Sequence, residues 1–305
     1  MKILVTGGNG LVGTELIRQL LDHEKTTQVV CIDNYYTSIP HNHAQFAKRN
    51  NFHFVQHDVC DPIESGEYDQ IYHLACPASP VHYQKDQQYT LITNITGTLN
   101  VTKLAELTGA RLLLASTSEV YGDPAVNPQP ETYWGNVNTL GPRSCYDEGK
   151  RVAETICTIS DADTVIARIF NTYGPYMALD DGRAVSNFIL QALTDQPITM
   201  HGDGLQTRSF CYVQDTARGL ITLMNSHSAG PVNIGNPDEV TLLELAKQIV
   251  ELCNSNSKIV HQNAAVDDPR TRCPDINLAL QLGWRPTVER TQGLKYTIQY
   301  IKEML

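Results

Sequence analysis

Residues 2–13 read KILVTGGNGLVG, and the way this stretch divides decides the fold. Ile3-Leu4-Val5 is a short apolar run without polar alternation, which suits a strand buried on both faces. Gly7-Gly8-Asn9-Gly10-Leu11-Val12-Gly13 follows at once in the frame G-x-x-G-x-x-G, and the apolar pattern of Leu11–Leu21 predicts a helix. Strand, glycine turn and helix in that order make a phosphate cradle. The small residues let a pyrophosphate approach the backbone, and the helix N-terminus offers N–H groups and a positive dipole. A second strand, Val29–Ile32, runs into Asp33, twenty residues after Gly13, where a carboxylate accepts hydrogen bonds from ribose hydroxyls. That carboxylate repels a 2′-phosphate, so the spacing predicts NAD rather than NADP. Gly7, Gly10, Leu11, Val12 and Gly13 are assigned to the pyrophosphate. Asp33 is assigned to the ribose, and Asn34, Tyr35 and Thr37 follow it with no arginine among them.

Further short apolar runs recur at Phe52–Val55, Ile71–Leu74, Leu112–Ala115 and Val165–Ile169, with helical patterns around Thr90–Leu107 and at Ser144–Ile159. This alternation predicts an α/β fold of the Rossmann type, a doubly wound parallel sheet with helices on both faces. Asp58, ending the third strand, is a candidate for the adenine edge, with Val59 after it as a further cofactor contact, and Leu74 and Ala75, at the end of the fourth, are candidates for a position beside the cofactor. Beyond Phe170 loop clusters multiply, which predicts a smaller C-terminal substrate-binding lobe. Residues 1–170 are read as the NAD-binding domain, with segments near 209–235 returning to it, and 171–305 as mainly the substrate lobe. Within that lobe Thr241-Leu-Leu-Glu244 is a capping-box pattern, and Arg290–Leu305 carries Leu294, Ile298 and Ile301 on one helical face.

Composition removes several function classes. A net charge of −10 over 305 residues argues against nucleic acid or an anionic membrane as partner. The 8 cysteines include no C-x-x-C pair, so neither zinc nor a disulfide framework is expected and a reducing cytoplasm fits. Met1-Lys2 leads straight into the first strand, so no signal peptide is expected, and no apolar stretch is long enough to span a membrane. His41, His43, His53 and His57 lack a carboxylate or thiolate at ligand spacing, so no metal is expected.

The reacting groups show in two places. Ser116-Thr117-Ser118-Glu119 places hydroxyls and a carboxylate at the tip of the Leu112–Ala115 strand. Tyr146 and Lys150 stand at i and i+4, on one face of the predicted helix. A free tyrosine is a poor base at neutral pH, but a neighbouring ammonium and a positive nicotinamide favour the phenolate. Tyr146 with Lys150 and Thr117 can therefore take a proton from a sugar hydroxyl as hydride leaves the same carbon. In Asp267-Asp-Pro-Arg-Thr-Arg272 two arginines fall in a loop, where core packing does not account for them.

With these residues in place the chain resembles the extended short-chain dehydrogenases/reductases that act on nucleotide sugars, and among them the branch that decarboxylates UDP-glucuronate. The resemblance covers nearly the whole chain. It is carried by the glycine frame, Leu74-Ala-Cys-Pro-Ala-Ser-Pro80, Gly97-Thr-Leu-Asn100, Ser116–Pro124, Tyr133-Trp-Gly-Asn-Val-Asn138, Arg143–Arg151, Arg168–Pro175, Asp181–Phe188, Gln206–Phe210 and Pro274-Asp-Ile276. It implies that Tyr146, held by Lys150 and Thr117, oxidises the sugar at C4, that the resulting 4-ketone lets CO2 leave, and that hydride then returns with no net redox change. It implies that Glu119 and Arg272 serve the decarboxylation, and that Asn171, Arg183 and Arg208 hold the UDP. Asn94 and the Pro77–Tyr83 loop, with Ser79, would lie near the sugar. A homodimer through a four-helix bundle of the segments near Asn94–Leu107 and Ser144–Ile159 is implied as well. The related 4,6-dehydratases carry an Asp-Glu pair where this chain has Ser118-Glu119, and the 4-epimerases carry small uncharged residues there. Both are enzymatic alternatives, and a catalytically silent NAD-sensing or scaffold protein is the alternative of another class, disfavoured by Thr117, Glu119, Tyr146, Lys150 and Arg272 standing together.

Overall fold

The computed structural model describes residues 1–23, 27–64, 66–264 and 267–305. The first six strands are β1 (Lys2–Thr6), β2 (Gln28–Asp33), β3 (Phe52–Gln56), β4 (Gln70–His73), β5 (Arg111–Thr117) and β6 (Thr164–Ile169). The chain then runs through the short strands β7 (Thr172–Tyr173), β8 (Ile198–His201), β9 (Thr207–Ser209) and β10 (Cys211–Tyr212) before β11 (Val232–Ile234). The main sheet has seven strands in the order β11-β6-β5-β4-β1-β2-β3, every neighbouring pair parallel. From β1 the winding goes outward through β2 to β3, then returns to place β4 on the other side of β1. That reversal opens a crevice at the carboxyl ends of β1 and β4, where ligands bind in open α/β sheets.

The sheet is buried on both faces because its central strands present apolar side chains both ways. Ile3 and Val5 pack with Leu16, Ile17 and Leu20 of α1 (Leu11–His23) on one face, joined by Leu220 and Leu223 of a later helix, Val213–Met224. Leu4, between them, points to the other face and meets Val101, Leu104, Ala153 and Cys157. The same period of two sends Leu113 to the first cluster and Leu112 and Leu114 to the second. The predicted doubly wound sheet is therefore present.

The helix expected over Thr90–Leu107 is segmented. After α2 (Pro80–Lys85) come α3 (Gln87–Ile92), a π-helical turn at Thr93–Gly97, and α4 (Thr98–Thr108). Side chains bonding back four residues explain the distortion: Thr93 Oγ1 donates to the Tyr89 carbonyl at 2.8 Å, Asn94 Nδ2 to Thr90 at 3.0 Å and Thr98 Oγ1 to Asn94 at 2.5 Å. By contrast α5 (Ser144–Ile159) covers the predicted range.

A second core lies beyond β6, formed by Val185, Phe188 and Ile189 of α6 (Ala184–Leu193), Ile198 and Met200 of β8, and Leu245, Ile249, Leu294, Ile298 and Ile301. The capping box expected at Thr241 is formed, with the Thr241 hydroxyl accepting from the Glu244 N–H at 3.1 Å and the Glu244 carboxylate accepting from the Thr241 N–H at 3.1 Å. The segment near 209–235 supplies β11 to the main sheet and the Val213–Met224 helix to its α1 face.

Candidate active site

A cleft of about 170 Å³ opens at the switch point between β1 and β4. Its wall includes Gly7, Gly10, Leu11, Val12 and Gly13 of the glycine turn, then Asp33, Asn34, Thr37, Val59, Leu74 and Ala75. Gly7 has φ +66°, and a Cβ there would come within 2.7 Å of the Ala75 backbone; one on Gly13 would come within 2.5 Å of the Gly7 carbonyl. These two glycines are required by the protein's own packing. A Cβ on Gly10 would meet nothing nearer than 3.4 Å, so this position is open toward a ligand.

Asp33 is buried and held in place. It accepts from the Asn9 N–H at 3.0 Å, the Tyr35 N–H at 2.9 Å and the Ser38 hydroxyl at 2.8 Å, which fixes a carboxylate at the end of β2 facing the cleft. A dinucleotide with an unphosphorylated ribose fits this arrangement. Two expected cofactor contacts are placed otherwise. Tyr35 takes a left-handed conformation, φ +62°, and its ring stacks on Phe54 at 5.2 Å, away from the cleft, while Tyr36 lines it instead. Asp58 lies past the end of β3 and outside the cleft wall, accepting from Tyr89 at 2.6 Å and Asn34 at 3.0 Å. Burial raises its pKa, but the Tyr89, Cys60 and Asn34 hydrogen bonds outweigh burial and hold it below the ordinary carboxylate value. Asp58 therefore braces Asn34 and Tyr89, which do line the cleft.

The tip of β5 brings the reacting groups together. Thr117 accepts from the Glu119 N–H at 3.2 Å and opens a tight turn over Ser118–Tyr121. Ser116 is structural, its hydroxyl bonded to Glu154 at 2.5 Å, which in turn pairs with Arg168 at 2.8 Å. Tyr146 and Lys150 are both buried on α5. Lys150 Nζ donates to the Ala115 carbonyl at 2.9 Å and lies 6.0 Å from the centre of the Tyr146 ring. Burial pushes the Tyr146 phenol well above its ordinary pKa, the Cys76 thiol adding to this and a hydrogen bond with Thr117 opposing it. The chain's own groups thus hold Tyr146 as the phenol.

Two residues expected at the sugar sit behind it. Tyr83 is 1% exposed and stacks flat on Tyr146, with centroids 5.1 Å apart and planes 6° apart, so it fixes the Tyr146 ring rather than lining the cleft. Asn94 is buried in the π-helical turn and packs against Gly149, where a Cβ would come within 2.9 Å of its side chain. Pro77 and Ser79 do line the cleft, as does Arg183, which is held by both oxygens of Asp181. Asn171 accepts from the Cys211 N–H through its carbonyl at 2.8 Å, at the base of the second lobe.

Arg272 is 3% exposed and grips both oxygens of Glu119. Arg143, which is not among the expected site residues, binds the same carboxylate at 2.6 Å. Burial raises the Glu119 pKa, but the Arg272 and Arg143 charges outweigh it and hold the group well below the carboxylate range. Arg208 is buried beside this cluster and pairs with Asp268 at 2.8 Å. A signal for Arg143 exists in the sequence: a cation at the N-terminus of a helix opposes the macrodipole, so it calls for a nearby carboxylate.

Three comparisons bear on this geometry. Residues 3–235 match the model of the NAD dependent epimerase/dehydratase family. The chain is 52% identical over 299 residues to UDP-glucuronic acid decarboxylase 3 of Arabidopsis thaliana, covering 96% of this chain and 87% of that protein. It is 51% identical to UDP-glucuronic acid decarboxylase 1 of Danio rerio, covering all of this chain and 73% of that protein. The crystal structure of UDP-glucuronic acid 4-epimerase from Bacillus cereus, in complex with UDP-glucuronic acid and NAD, superposes with a TM-score of 0.91 at 28% identity over the full length of both chains.

Proposed function

The chain belongs to the NAD dependent epimerase/dehydratase family, and within it we propose that the protein is a UDP-glucuronic acid decarboxylase that forms UDP-xylose and CO2. The observation that carries this reading is identity of about half, over nearly the full length, to relatives named for that activity. The arginine-held Glu119 at the strand tip, beside Tyr146, supports it: a uronate substrate brings a carboxylate, and the site holds two buried arginines that recognise one.

The cofactor is NAD, and Gly7, Gly10, Leu11, Val12, Gly13 and Asp33 would hold it. When bound, NAD supplies the hydride acceptor and donor and, in its oxidised form, a positive charge beside Tyr146. As the phenolate that this positive charge would favour, Tyr146 takes the proton from the C4 hydroxyl oxygen and later returns it to the same oxygen, with Thr117 at the neighbouring strand tip and Lys150 held on the Ala115 carbonyl beside the ring. Oxidation leaves a ketone at C4, β to the C6 carboxylate, so the electron pair of the breaking C5–C6 bond is taken up as an enolate. Arg272 and Glu119 orient the uronate through that step, while Arg183 and Arg208, with Asn171, hold the diphosphate and uridine.

A homodimer is part of the proposal. Leu99, Val152 and Ile159 leave apolar side chains exposed on α4 and α5, the helices expected to form a four-helix bundle. Among the described residues no helix is long and apolar enough to cross a membrane. All eight cysteines are free, which fits the proposed cytoplasmic setting.

Incubation of the purified protein with UDP-glucuronate and NAD tests the assignment. A sugar nucleotide lighter by CO2, with no lasting NADH absorbance, is expected. An isomer of unchanged mass would make it a 4-epimerase, and loss of water a dehydratase.

A further inference from the structure

The proposed decarboxylation consumes one proton per turnover. The C5–C6 bond breaks, CO2 leaves without hydrogen, and the electron pair left on the sugar forms a C5–H bond. The Tyr146 proton cannot serve here, because it shuttles between the phenol and O4 and is returned there. A proton must therefore reach a largely buried site from water, and Glu119, held ionised by two arginines, is a poor carrier.

Beside Glu119 lies a second cavity, of about 110 Å³, separate in its lining from the NAD cleft. Its mouth is made by the exposed residues Asp123, Asn136, Asn138 and Asp267, and its inner end by Glu119, Arg143 and Asp147. Asp147 follows Tyr146 directly on α5, is 6% exposed, and its Oδ1 is buried with no hydrogen-bond partner. The other carboxylates of this cavity are engaged: Asp123 accepts from the Arg270 N–H, Asp267 from Asn138, Asp268 pairs with Arg208, and Glu119 with Arg143 and Arg272. A water-accessible polar channel thus ends on one unpartnered carboxyl group next to the base that works at C4.

We propose that Asp147 is a proton-relay residue, taking protons from solvent through this cavity and releasing them toward C5 after CO2 departs. The proposal rests on the decarboxylase reading. In the step the Asp147 O–H bond breaks, its proton passes along cavity water, a C5–H bond forms with the pair left by CO2, and the carboxylate is refilled from solvent. No oxidant or reductant is required. The groups facing Asp147 are Glu119 from the strand tip, Arg143 and Glu148 from its own helix, Arg272 from the 267–273 segment, and Tyr83 from α2. Burial and the Glu119 charge push the Asp147 carboxyl up to about 7, against the opposing arginines, so it exchanges protons in the neutral range.

The test is single-turnover kinetics of the NAD-loaded protein with UDP-glucuronate, following NADH absorbance and product mass. In D147N, NADH should form at nearly the wild-type rate and then decay at least about tenfold more slowly, since the keto-sugar awaits its C5 proton. Wild-type decay should slow as pH rises through neutrality, D147N should lose that dependence, and D147E should recover part of the rate. Unchanged NADH decay in D147N, or an equal slowing of NADH formation, would overturn the proposal. Should D147N fail to fold or to retain NAD, the wild-type profile decides: NADH decay without an ionisation near neutrality overturns the relay. A wild type that forms NADH but releases no CO2 would remove the decarboxylase reading, and the relay with it.

Discussion

Arg272 and Glu119, 153 residues apart in the chain, meet as a two-pronged ion pair, Nη2 lying 2.8 Å from Oε2 while Nη1 binds Oε1. Arg143 completes the arrangement on Oε2. One carboxylate therefore bridges two buried guanidinium groups, and the pair ties the strand tip to the 267–273 segment.

The consequence for Glu119→Gln is twofold. The amide keeps the shape but leaves two buried cations without their counter-charge, an imbalance that costs about 3–5 kcal/mol in comparable pairs. Chemical denaturation should show a loss of that order. CO2 release should fall by about 100-fold, the scale seen when one well-placed electrostatic group is removed, with NAD still bound. A variant of wild-type stability would mean that the clamp is not a significant ion pair.

Tyr146→Phe separates packing from chemistry. The ring should still stack on Tyr83, so folding and NAD retention should be close to wild type. The proton acceptor for the C4 hydroxyl is gone, and NADH formation on mixing with UDP-glucuronate should fall by roughly 100-fold to 10,000-fold. Stopped-flow absorbance reads this directly, and near-normal NADH formation would reassign the base.

Asp33→Asn addresses the cofactor. The amide still accepts from neighbouring N–H groups but no longer repels a 2′-phosphate or binds the ribose hydroxyls as a charge. NAD affinity should fall by about tenfold and the preference for NAD over NADP should shrink, both measurable by fluorescence titration. An undiminished preference would place discrimination elsewhere in the cleft.

Much of this was legible in the sequence because it is local. The glycine frame sets its own turn, Asp33 follows from strand spacing, and Tyr146 and Lys150 share a helix face by periodicity alone. What the sequence leaves open depends on pairings between distant segments. Tyr83 belongs behind Tyr146 only because α2 folds onto α5, and Asn94 is withdrawn because a run of back-bonding threonines turns the helix through a π-helical segment. Arg143 acquires its role from a carboxylate on β5's tip, and Asp147, which reads as an ordinary acid in a first helical turn, becomes unusual only through burial beside Glu119. Tyr35 and Asp58 stand outside the cleft wall for a simpler reason. A positive φ accompanies the turn of the Tyr35 ring onto Phe54, and β3 ends at Gln56, two residues before Asp58.

Acid should weaken the fold through a residue outside the clamp. His73, at the end of β4, is 3% exposed, with Nδ1 2.7 Å from the Thr6 hydroxyl and Nε2 3.3 Å from that of Thr98. Burial, with the nearby Lys150 charge, pushes its pKa down to about 3. An unfolded histidine titrates near 6.5, so over the range between the two values only the unfolded chain takes up the proton. Stability from this group is complete above about pH 6.5 and is lost at about 1.4 kcal/mol per pH unit as pH falls toward the folded value. Glu119, whose folded pKa is also depressed, adds to the loss only below about pH 4.3, where its unfolded counterpart protonates. Asp147, whose carboxyl is raised to about 7, contributes in the opposite sense over this window, so the His73 contribution of roughly 1–2 kcal/mol between about pH 7 and about pH 5.5 is read as the difference between wild type and variant in urea unfolding. His73→Gln, which keeps a polar side chain between the two threonines but cannot ionise, should remove that contribution. A variant that keeps the wild-type slope over this interval would assign the acid sensitivity to other histidines.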